Sequence, residues 1–205
     1  MCIRDRDYLT TSNKVGLKDK IEDFDNGLLN AHNKNVVVVG GGDTAMDCVR
    51  TAIRQQAKSV TCVYRRDKDN MPGSIKEINH AIEEGVNFLF NSQPLEIIGN
   101  GKIRNLKVGL TELGEPDNTG RRKPVLVEGS EKLIEMNKLV IAFGYQADPQ
   151  DFVVQNNIDI SDQGLISLNS DIYKYQTSNP KFFAGGDMAL IWSQRLSKLL
   201  LADLV

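Results

Sequence analysis

The sequence predicts a doubly wound α/β fold with an antiparallel β excursion, and three observations support this prediction. Residues 36–39 are all valine, a β-branched run typical of a strand buried on both faces of a parallel sheet. Strand, glycine turn, helix and strand follow one another from residue 35 within about thirty residues, the length of one βαβ unit. After Pro94 the pattern changes to short strands joined by turns, as in an antiparallel sheet.

The alternation of strands and helices continues beyond the first unit. The glycine turn at 40–42 is followed by a helix that Asp43 can cap, with apolar residues at three- and four-residue steps. A second strand covers residues 59–64, a second helix covers 74–84 with Ser74 and Glu77 in capping-box spacing, and a third strand covers 86–90. This half therefore reads as a Rossmann-type arrangement.

The remaining segments complete the predicted organisation. Strands at 95–98, 103–113 and 125–127 form the antiparallel excursion, and residues 138–143 return to a buried parallel strand that ends at Gly144. A short strand at 182–184 precedes Gly185-Gly186-Asp187. Residues 1–34 are polar and turn-rich, so we expect them to be a connector.

Composition excludes several classes of function. The 205 residues contain 25 Lys+Arg and 27 Asp+Glu, a net charge of -2, which predicts neither nucleic-acid nor membrane binding. The apolar runs are shorter than the roughly 18 residues that a membrane span needs, and no secretory leader is recognisable. The three cysteines and two histidines are too scattered for a zinc or iron–sulfur site, and a reducing cytoplasm is the expected compartment.

The glycine turn carries the strongest chemical signal. Gly40-Gly41-Gly42-Asp43-Thr44-Ala45 fits the dinucleotide fingerprint G-x-G-x-x-A and lies between a buried strand and a helix start, the context that this fingerprint requires. Gly40 allows the tight turn, Gly42 lets the backbone approach a pyrophosphate, and Ala45 lets the helix pack on the sheet. The helix N-terminus then attracts the phosphates. The alternative is a structural turn without a ligand.

Two arginines predict which nucleotide is bound. An NAD enzyme places a carboxylate at the end of the second strand, where it binds the ribose 2′-hydroxyl, but this chain has Arg65 and Arg66 there. Guanidinium groups bind a 2′-phosphate through charge-assisted hydrogen bonds, so NADPH is favoured over NADH. The alternative is solvated surface charge balanced by Asp67 and Asp69.

Several motifs in order give a family resemblance, which extends from about residue 35 to 187. The chain is similar to the small (beta) subunit of bacterial glutamate synthase in Val39-Gly-Gly-Gly-Asp-Thr-Ala-Met-Asp-Cys48, Tyr64-Arg-Arg-Asp67, Met71-Pro-Gly-Ser74, Glu83-Glu-Gly-Val86, Gly114-Glu-Pro-Asp117, Gly120-Arg-Arg122 and Phe183-Ala-Gly-Gly-Asp187. The resemblance implies an NADPH domain inserted into an FAD domain, with hydride passing from nicotinamide to flavin. It further implies electron transfer through iron–sulfur clusters to a large subunit that makes glutamate from 2-oxoglutarate and glutamine-derived ammonia.

The resemblance also implies domain limits and further site residues. Residues 35–143 correspond to the NADPH-binding domain, and 144–205 to the C-terminal segment of the FAD-binding domain. Gly144 marks the return from the NADPH domain, and Gly186-Asp187 places a carboxylate on the FAD ribitol; a plain Gly-Asp turn is the alternative. Because hydride transfer is the chemistry of the cofactors, no acid–base residue is expected, and Tyr64, Cys62 and His80 are interpreted as packing or surface residues.

Two parts of the sequence depart from the family. The FAD-pyrophosphate glycine motif and the cysteine-rich cluster segment of the family precede the region that matches, so we expect this chain to be a fragment that is inactive and flavin-free in isolation. Residues 1–6 have no counterpart and are expected to be foreign.

The tail at 189–205 also differs from the family, which continues with a glycine-containing turn and a helix of the type Leu-Val-Thr-Ala-Ile. One permissible coding of residues 191–197, read one base earlier, encodes Leu-Val-Thr-Thr-Ala-Ile, so we interpret the tail as frame-shifted. The alternative is a divergent helix with an apolar stripe at Leu196, Leu199, Leu200 and Leu204.

Two other functional classes remain open. One is a different flavoprotein on the same two-nucleotide plan, such as a ferredoxin–NADP transhydrogenase subunit or a dihydropyrimidine dehydrogenase module. The other is a non-catalytic module for nucleotide binding or subunit interaction. A gene for a large amidotransferase-containing subunit nearby would favour glutamate synthase over the first, and NADPH binding without diaphorase activity in the full-length protein would favour the second.

Overall fold

The fold divides into two compact units, Met1–Gly144 and Tyr145–Val205. The structure, a computed structural model, describes residues 1–17, 19–116, 122–144, 147–162, 164–168, 173 and 175–189. Each unit has its own cluster of buried apolar residues.

The first unit is built on a parallel sheet of five strands. The spatial order is β1 (Cys2–Arg4), β9 (Lys138–Ile141), β2 (Asn35–Val39), β3 (Ser59–Val63) and β4 (Asn87–Leu89), and every neighbouring pair is parallel. All five residues of β2 are buried, as its run of valines predicts for a central strand. The predicted α/β class is thereby confirmed.

The two faces of this sheet are covered differently. Val36 and Val38 pack in one cluster with residues of α3 (Asp43–Arg54) and α4 (Ile75–Glu83). Val37 and Val39 point to the other face, where they pack against side chains of an antiparallel sheet. That sheet consists of β5 (Ser92–Asn100), β6 (Lys102–Pro116), β7 (Arg122–Leu126) and β8 (Lys132–Glu135), with β6 pairing each of the others. The predicted excursion thus covers one face of the parallel sheet.

The amino-terminal 34 residues differ from the connector that we expected. Cys2–Arg4 forms the edge strand β1 beside β9, Asp5–Gly16 forms helix α1, and Glu22–Asp25 forms the short helix α2. Tyr8 of α1 is fully buried and its hydroxyl donates to Oε1 of Gln55 at 3.0 Å. The polar composition of this segment gave no sign of these elements. The three-residue edge strand buries only one apolar side chain, Ile3, and α1 is anchored mainly by Tyr8.

Two smaller differences concern strands. The strand β8 was not predicted, since its residues are mostly exposed and only Ile134 packs partly against the core. Conversely, residues 182–184 form no strand, and Phe183 contributes only an isolated bridge to Gln176. A single bridge satisfies too few backbone groups to continue a ladder, so the apolar run there packs without extending a sheet.

The second unit has a small core of its own. Helix α5 (Asp151–Gln155) contributes the buried Val153, which packs with Ile158 and Ile166. Gly186–Met188 forms a single turn of 3-10 helix, and Ala189 is buried and bridges to Ile166. The predicted frame shift concerns residues 189–205, and all of these except Ala189 lie outside the described residues.

The described part of the chain contains neither a membrane-spanning helix nor a cluster of metal-binding side chains. None of its helices has the length and apolar character needed to cross a membrane. Within the same residues, no three or more His, Cys, Asp or Glu side chains come together as a group that could hold a metal ion.

A buried lysine lies at the start of β9. Lys138 is 1% exposed, and its Nζ donates to the carbonyl oxygens of Leu28 and Asn30, both at 2.5 Å. Burial, and secondarily the nearby charge of Lys34, lowers the pKa of Lys138 from its ordinary value of 10.5 to about 7. The lysine therefore holds the segment before β2 against the sheet through two hydrogen bonds, but the burial of its charge lowers the free energy of unfolding.

This lysine predicts how stability depends on pH. Below about pH 7 the lysine is protonated in both the folded and the unfolded chain, so the burial cost is fully present. Between about pH 7 and 10 the unfolded chain holds more protons, so the free energy of unfolding should rise with pH. We expect Lys138→Met to flatten this rise in urea denaturation, and Lys132→Met, at an exposed position, to leave it unchanged. Equal slopes for wild type and Lys138→Met would contradict this prediction.

Candidate dinucleotide-binding site

The glycine turn after β2 is shaped by two close approaches. Gly40 has a φ of +148°, and a Cβ placed on it would lie 2.1 Å from the carbonyl oxygen of Ala142. A Cβ on Gly41 would lie 2.6 Å from two ring carbons of Tyr64. At Gly42 a Cβ would meet no protein atom within 4 Å. Gly40 and Gly41 are therefore required by the fold itself, whereas the space at Gly42 is open.

The helix cap differs from the one that we expected. Gly42, not Asp43, is the N-cap residue of α3, and Asp43 is the first helical residue. The Asp43 carboxylate instead accepts a hydrogen bond from the backbone N–H of Ser74 at 2.7 Å. The reason lies in the neighbouring loop, which packs over the turn: Gly73 N–H donates to the carbonyl of Gly41 at 2.8 Å. Asp43 thus fixes this loop, and the first N–H groups of the helix stay free of a side-chain cap.

The next two fingerprint residues have separate roles. Ala45 is fully buried in the core between α3 and the sheet, which confirms the predicted close packing of the helix. Thr44 lies one residue earlier and faces the cavity described below. Because the first turn of a helix leaves N–H groups without intrahelical partners, this end of α3 offers donors and positive dipole to an anion.

Tyr64 supports the turn, and its role was only partly anticipated. Its ring lies against Gly41, and its hydroxyl donates to the carbonyl of Asn70 at 2.7 Å. It therefore packs, as predicted, but it also links the glycine turn to the loop that carries Pro72 and Gly73. The sequence did offer one signal for this role, because Tyr64 directly follows β3, the strand that pairs with β2.

One cavity of about 530 Å³ joins most of the predicted residues. It opens at the carboxyl ends of β2, β3 and β9, the edge at which open α/β sheets bind ligands. Its lining includes these predicted site residues: Gly40, Gly41, Gly42, Thr44, Arg65, Arg66 and Gly144. The lining is completed by residues that were not among the predicted site residues: Val39, Val63, Tyr64, Pro72, Pro94, Ala142 and Phe143.

The arginine pair lies on the wall of this cavity. Arg65 is exposed and Arg66 is half-buried, so both guanidinium groups can reach a ligand at the surface. The Nε of Arg66 donates to the main-chain carbonyl of Arg122 at 3.0 Å. Asp67 accepts from the backbone and side chain of Asn70, and no ion pair between Asp67 and either arginine is found among the described residues. The surface-charge alternative, in which Asp67 and Asp69 balance the pair, therefore has no direct contact to support it.

The site residues that the family resemblance implies fall in both units of the fold. Gly144, with a φ of +91°, ends the first unit at the cavity wall. Gly186, with a φ of +76°, and Asp187 belong to the 3-10 turn of the second unit. The structure therefore brings together the residues proposed for NADPH, and it places those proposed for FAD in a different unit.

Cys62 and His80, which were interpreted as packing or surface residues, have no reactive partners among the described residues. Cys62 is buried and its Sγ donates to the carbonyl of Gly40 at 3.4 Å. Burial raises the pKa of the Cys62 thiol to about 12, so it stays protonated and unreactive near neutral pH. His80 is half-exposed on α4, with Nδ1 3.8 Å from a carboxylate oxygen of Glu77. None of these features resembles a nucleophile or an acid–base pair.

The open space at Gly42, the free helix end and two arginines on one wall together define a class of protein. They are the features of a dinucleotide-binding α/β domain, and the cavity is of ordinary size for a ligand site. Residues 7–202 match the family described as pyridine nucleotide-disulphide oxidoreductase, and the chain belongs to that family. Members of this family bind FAD and NAD(P)H, and the residues described here fit the nicotinamide nucleotide.

The chain is also similar to particular relatives. It is 53% identical over 156 residues to the glutamate synthase [NADPH] small chain of Halomonas elongata, covering 76% of this chain and 33% of that protein. The corresponding protein of Escherichia coli K12 is 48% identical over 170 residues, with coverages of 82% and 36%. The predicted resemblance is thereby confirmed, and the chain spans about a third of the length of these relatives.

A solved structure agrees with the fold. The thioredoxin reductase of Lactococcus lactis superimposes with a TM-score of 0.59 at 25% identity, covering 82% of this chain and 48% of that protein. The arrangement of parallel and antiparallel sheets is therefore one that this fold class uses.

Two glycine substitutions should separate folding from binding. Gly40→Ala would place a methyl group into the Ala142 carbonyl at an unfavourable φ, so we expect a loss of about 2 kcal/mol or more in stability. Gly42→Ala should lower stability much less than Gly40→Ala, because nothing lies within 4 Å and only the preference of the helix N-cap for glycine is lost, yet it should weaken NADPH binding roughly tenfold or more by obstructing the pyrophosphate. Thermal unfolding and isothermal titration measure both. A Gly42→Ala variant that binds NADPH as wild type does would refute the pyrophosphate position.

Proposed function

We propose that this chain binds NADPH and presents its nicotinamide for hydride transfer to FAD. The observation that carries the proposal is the meeting of the glycine turn and the pair Arg65-Arg66 on one cavity. The turn suits a pyrophosphate and the arginines suit a 2′-phosphate. The cavity therefore offers binding groups for both phosphate-bearing ends of the adenosine half of the nucleotide. When bound, NADPH supplies the hydride and the flavin accepts it.

The residues of this chain contribute binding and orientation. Gly42 and the start of α3 hold the pyrophosphate, while Arg65 and Arg66 hold the 2′-phosphate. Gly40 and Tyr64 keep the turn in place through the contacts with Ala142 and Gly41. No protonation step is required of these side chains, because a hydride moves between cofactors without general acid–base catalysis.

The proposal extends to the division of the chain and to the flavin. Residues 35–143 are proposed as the NADPH-binding domain and 144–205 as the C-terminal segment of the FAD-binding domain, with Gly186 and Asp187 at the FAD ribitol. The compact unit that ends at Gly144 supports this boundary. The positive φ of Gly186 supports a backbone that comes close to a ligand.

The similarity to glutamate synthase small chains supports a proposal for the activity of the full-length protein. We propose that electrons from the flavin pass through iron–sulfur clusters to a large subunit in the cytoplasm, where glutamate is made from 2-oxoglutarate and glutamine-derived ammonia. The large subunit is the proposed partner.

Nucleotide preference tests the proposal. Losing charge-assisted contacts to the 2′-phosphate in Arg65→Ala/Arg66→Ala should weaken NADPH binding about ten- to a hundredfold, roughly 1.5–3 kcal/mol. NADH has no 2′-phosphate, so its affinity should change little. Both guanidinium groups reach solvent, so the double variant should fold normally.

The matched control is Lys76→Ala, which removes a positive charge from an exposed site on α4. It should leave both affinities within about twofold of wild type, because exposed charges at a distance are screened by salt. Equal affinity of the wild type for NADPH and NADH in isothermal titration would contradict the assignment.

A further inference from the structure

The main chain of the arginine pair is held by the antiparallel sheet. The carbonyl of Arg65 accepts from Oγ1 of Thr111 on β6 at 2.8 Å, and Thr111 is only 4% exposed. The backbone N–H of Asn91 donates to the carbonyl of Arg66. The backbone N–H of Thr111 in turn donates to the carbonyl of Asn91 at 2.8 Å. The turn that carries both arginines is therefore fixed from β6 as well as from the end of β3.

The side chain of Arg66 has its own anchor on the next strand. Its Nε donates to the main-chain carbonyl of Arg122, the first residue of β7, at 3.0 Å. This bond uses one of the five guanidinium N–H donors and leaves the other four for a ligand. The direction of the Arg66 side chain thus depends on where the start of β7 lies.

Arg122 in turn holds the start of β7 against β6. Its Nε donates to the carbonyl of Gly114 and its Nη2 to the carbonyl of Leu113, both at 3.0 Å. The β6–β7 register shifts between Leu113 and Pro116, and Pro124, which faces Leu113, has no N–H to donate. The guanidinium supplies hydrogen bonds where the ladder is irregular, so Arg122 acts as a clamp across the bulge.

We infer that Arg122 is a positioning residue for NADPH selectivity: it locks the β6–β7 hairpin so that its own carbonyl orients Arg66 towards the 2′-phosphate. This inference rests on the proposed function, because it assigns Arg66 to that phosphate. The antiparallel excursion is then part of the nucleotide site as well as the cover of one sheet face. Arg122 acts through Arg66 and need not contact the nucleotide.

The side chain of Arg122 contributes both a positive charge and a fixed hydrogen-bonding geometry, and two substitutions separate them. Arg122→Ala keeps the main-chain carbonyl but removes the clamp, so Arg66 should lose orientation. Arg122→Lys keeps the positive charge, but an ammonium cannot hold two carbonyls in the fixed fork geometry of a guanidinium. Lys123→Ala removes one positive charge from the adjacent exposed position and is the matched control.

The probes are adenosine 2′,5′-bisphosphate and 5′-AMP, titrated into the full-length protein at one fixed ionic strength. They differ only in the 2′-phosphate, so the ratio of their affinities reports that contact without involving the flavin or catalysis. We expect the ratio to fall about fivefold in Arg122→Ala and by a similar factor in Arg122→Lys. Lys123→Ala should stay within about twofold of wild type, since it removes only a screened charge. A merely structural loss would weaken both probes equally and leave the ratio unchanged.

The results separate a failure of the role proposed for Arg122 from a failure of the proposed NADPH binding. Wild type that binds both probes equally contradicts the proposed NADPH preference and this inference with it. If the wild-type ratio of probe affinities persists in Arg122→Ala, the role of Arg122 is wrong but the proposed function stands. The same holds if Arg122→Lys keeps the full wild-type ratio, because the selectivity would then depend on the positive charge of residue 122. Circular dichroism of each variant identifies loss of folding. If Arg122→Ala does not fold, the ratio in Arg122→Lys decides.

Discussion

The approach of Gly40 to the carbonyl oxygen of Ala142 is the constraint on which the site depends. A Cβ would lie 2.1 Å from that oxygen, so only glycine lets the chain leave β2 directly beside the end of β9. The turn then continues under Tyr64 and enters α3 at Gly42, with the ends of three parallel strands forming the cavity walls. A side chain at this point would separate β2 from β9 and displace the helix start from the cavity.

The antiparallel sheet packs against the parallel sheet and also supports the main chain of the two arginines that we propose for nucleotide binding. Leu106 and Val108 of β6 pack against Val37 and Val39 of β2, and Thr111 of the same strand holds the main chain at Arg65. One long strand therefore connects the core to the residues that we propose for nucleotide selection. Because β6 pairs with β5, β7 and β8, its position is fixed by three neighbours, and rigid support of this kind is what a specific phosphate contact requires.

The sequence predicted the elements whose signal is local. The valine run of β2, the fingerprint from Gly40 to Ala45 and the arginine pair were visible because a buried parallel strand and a phosphate-binding turn have distinctive residues. What remained hidden depends on tertiary contacts. Tyr8 gives α1 its only fully buried side chain, Asp43 bonds to Ser74 instead of capping its own helix, and the bond from Arg66 to Arg122 joins residues 56 apart. No spacing rule predicts such contacts, because they form only when elements that are distant in the sequence come together in the folded chain.

The central claim is that the glycine turn and the arginine pair bind the same NADPH molecule. A crystal structure of the protein with bound NADP⁺ tests this most directly. It should place the pyrophosphate at the backbone N–H groups of Gly42 to Thr44 and the 2′-phosphate within about 3 Å of the guanidinium groups of Arg65 and Arg66. A nucleotide bound outside this cavity, or one whose 2′-phosphate points into solvent away from both arginines, would contradict the account.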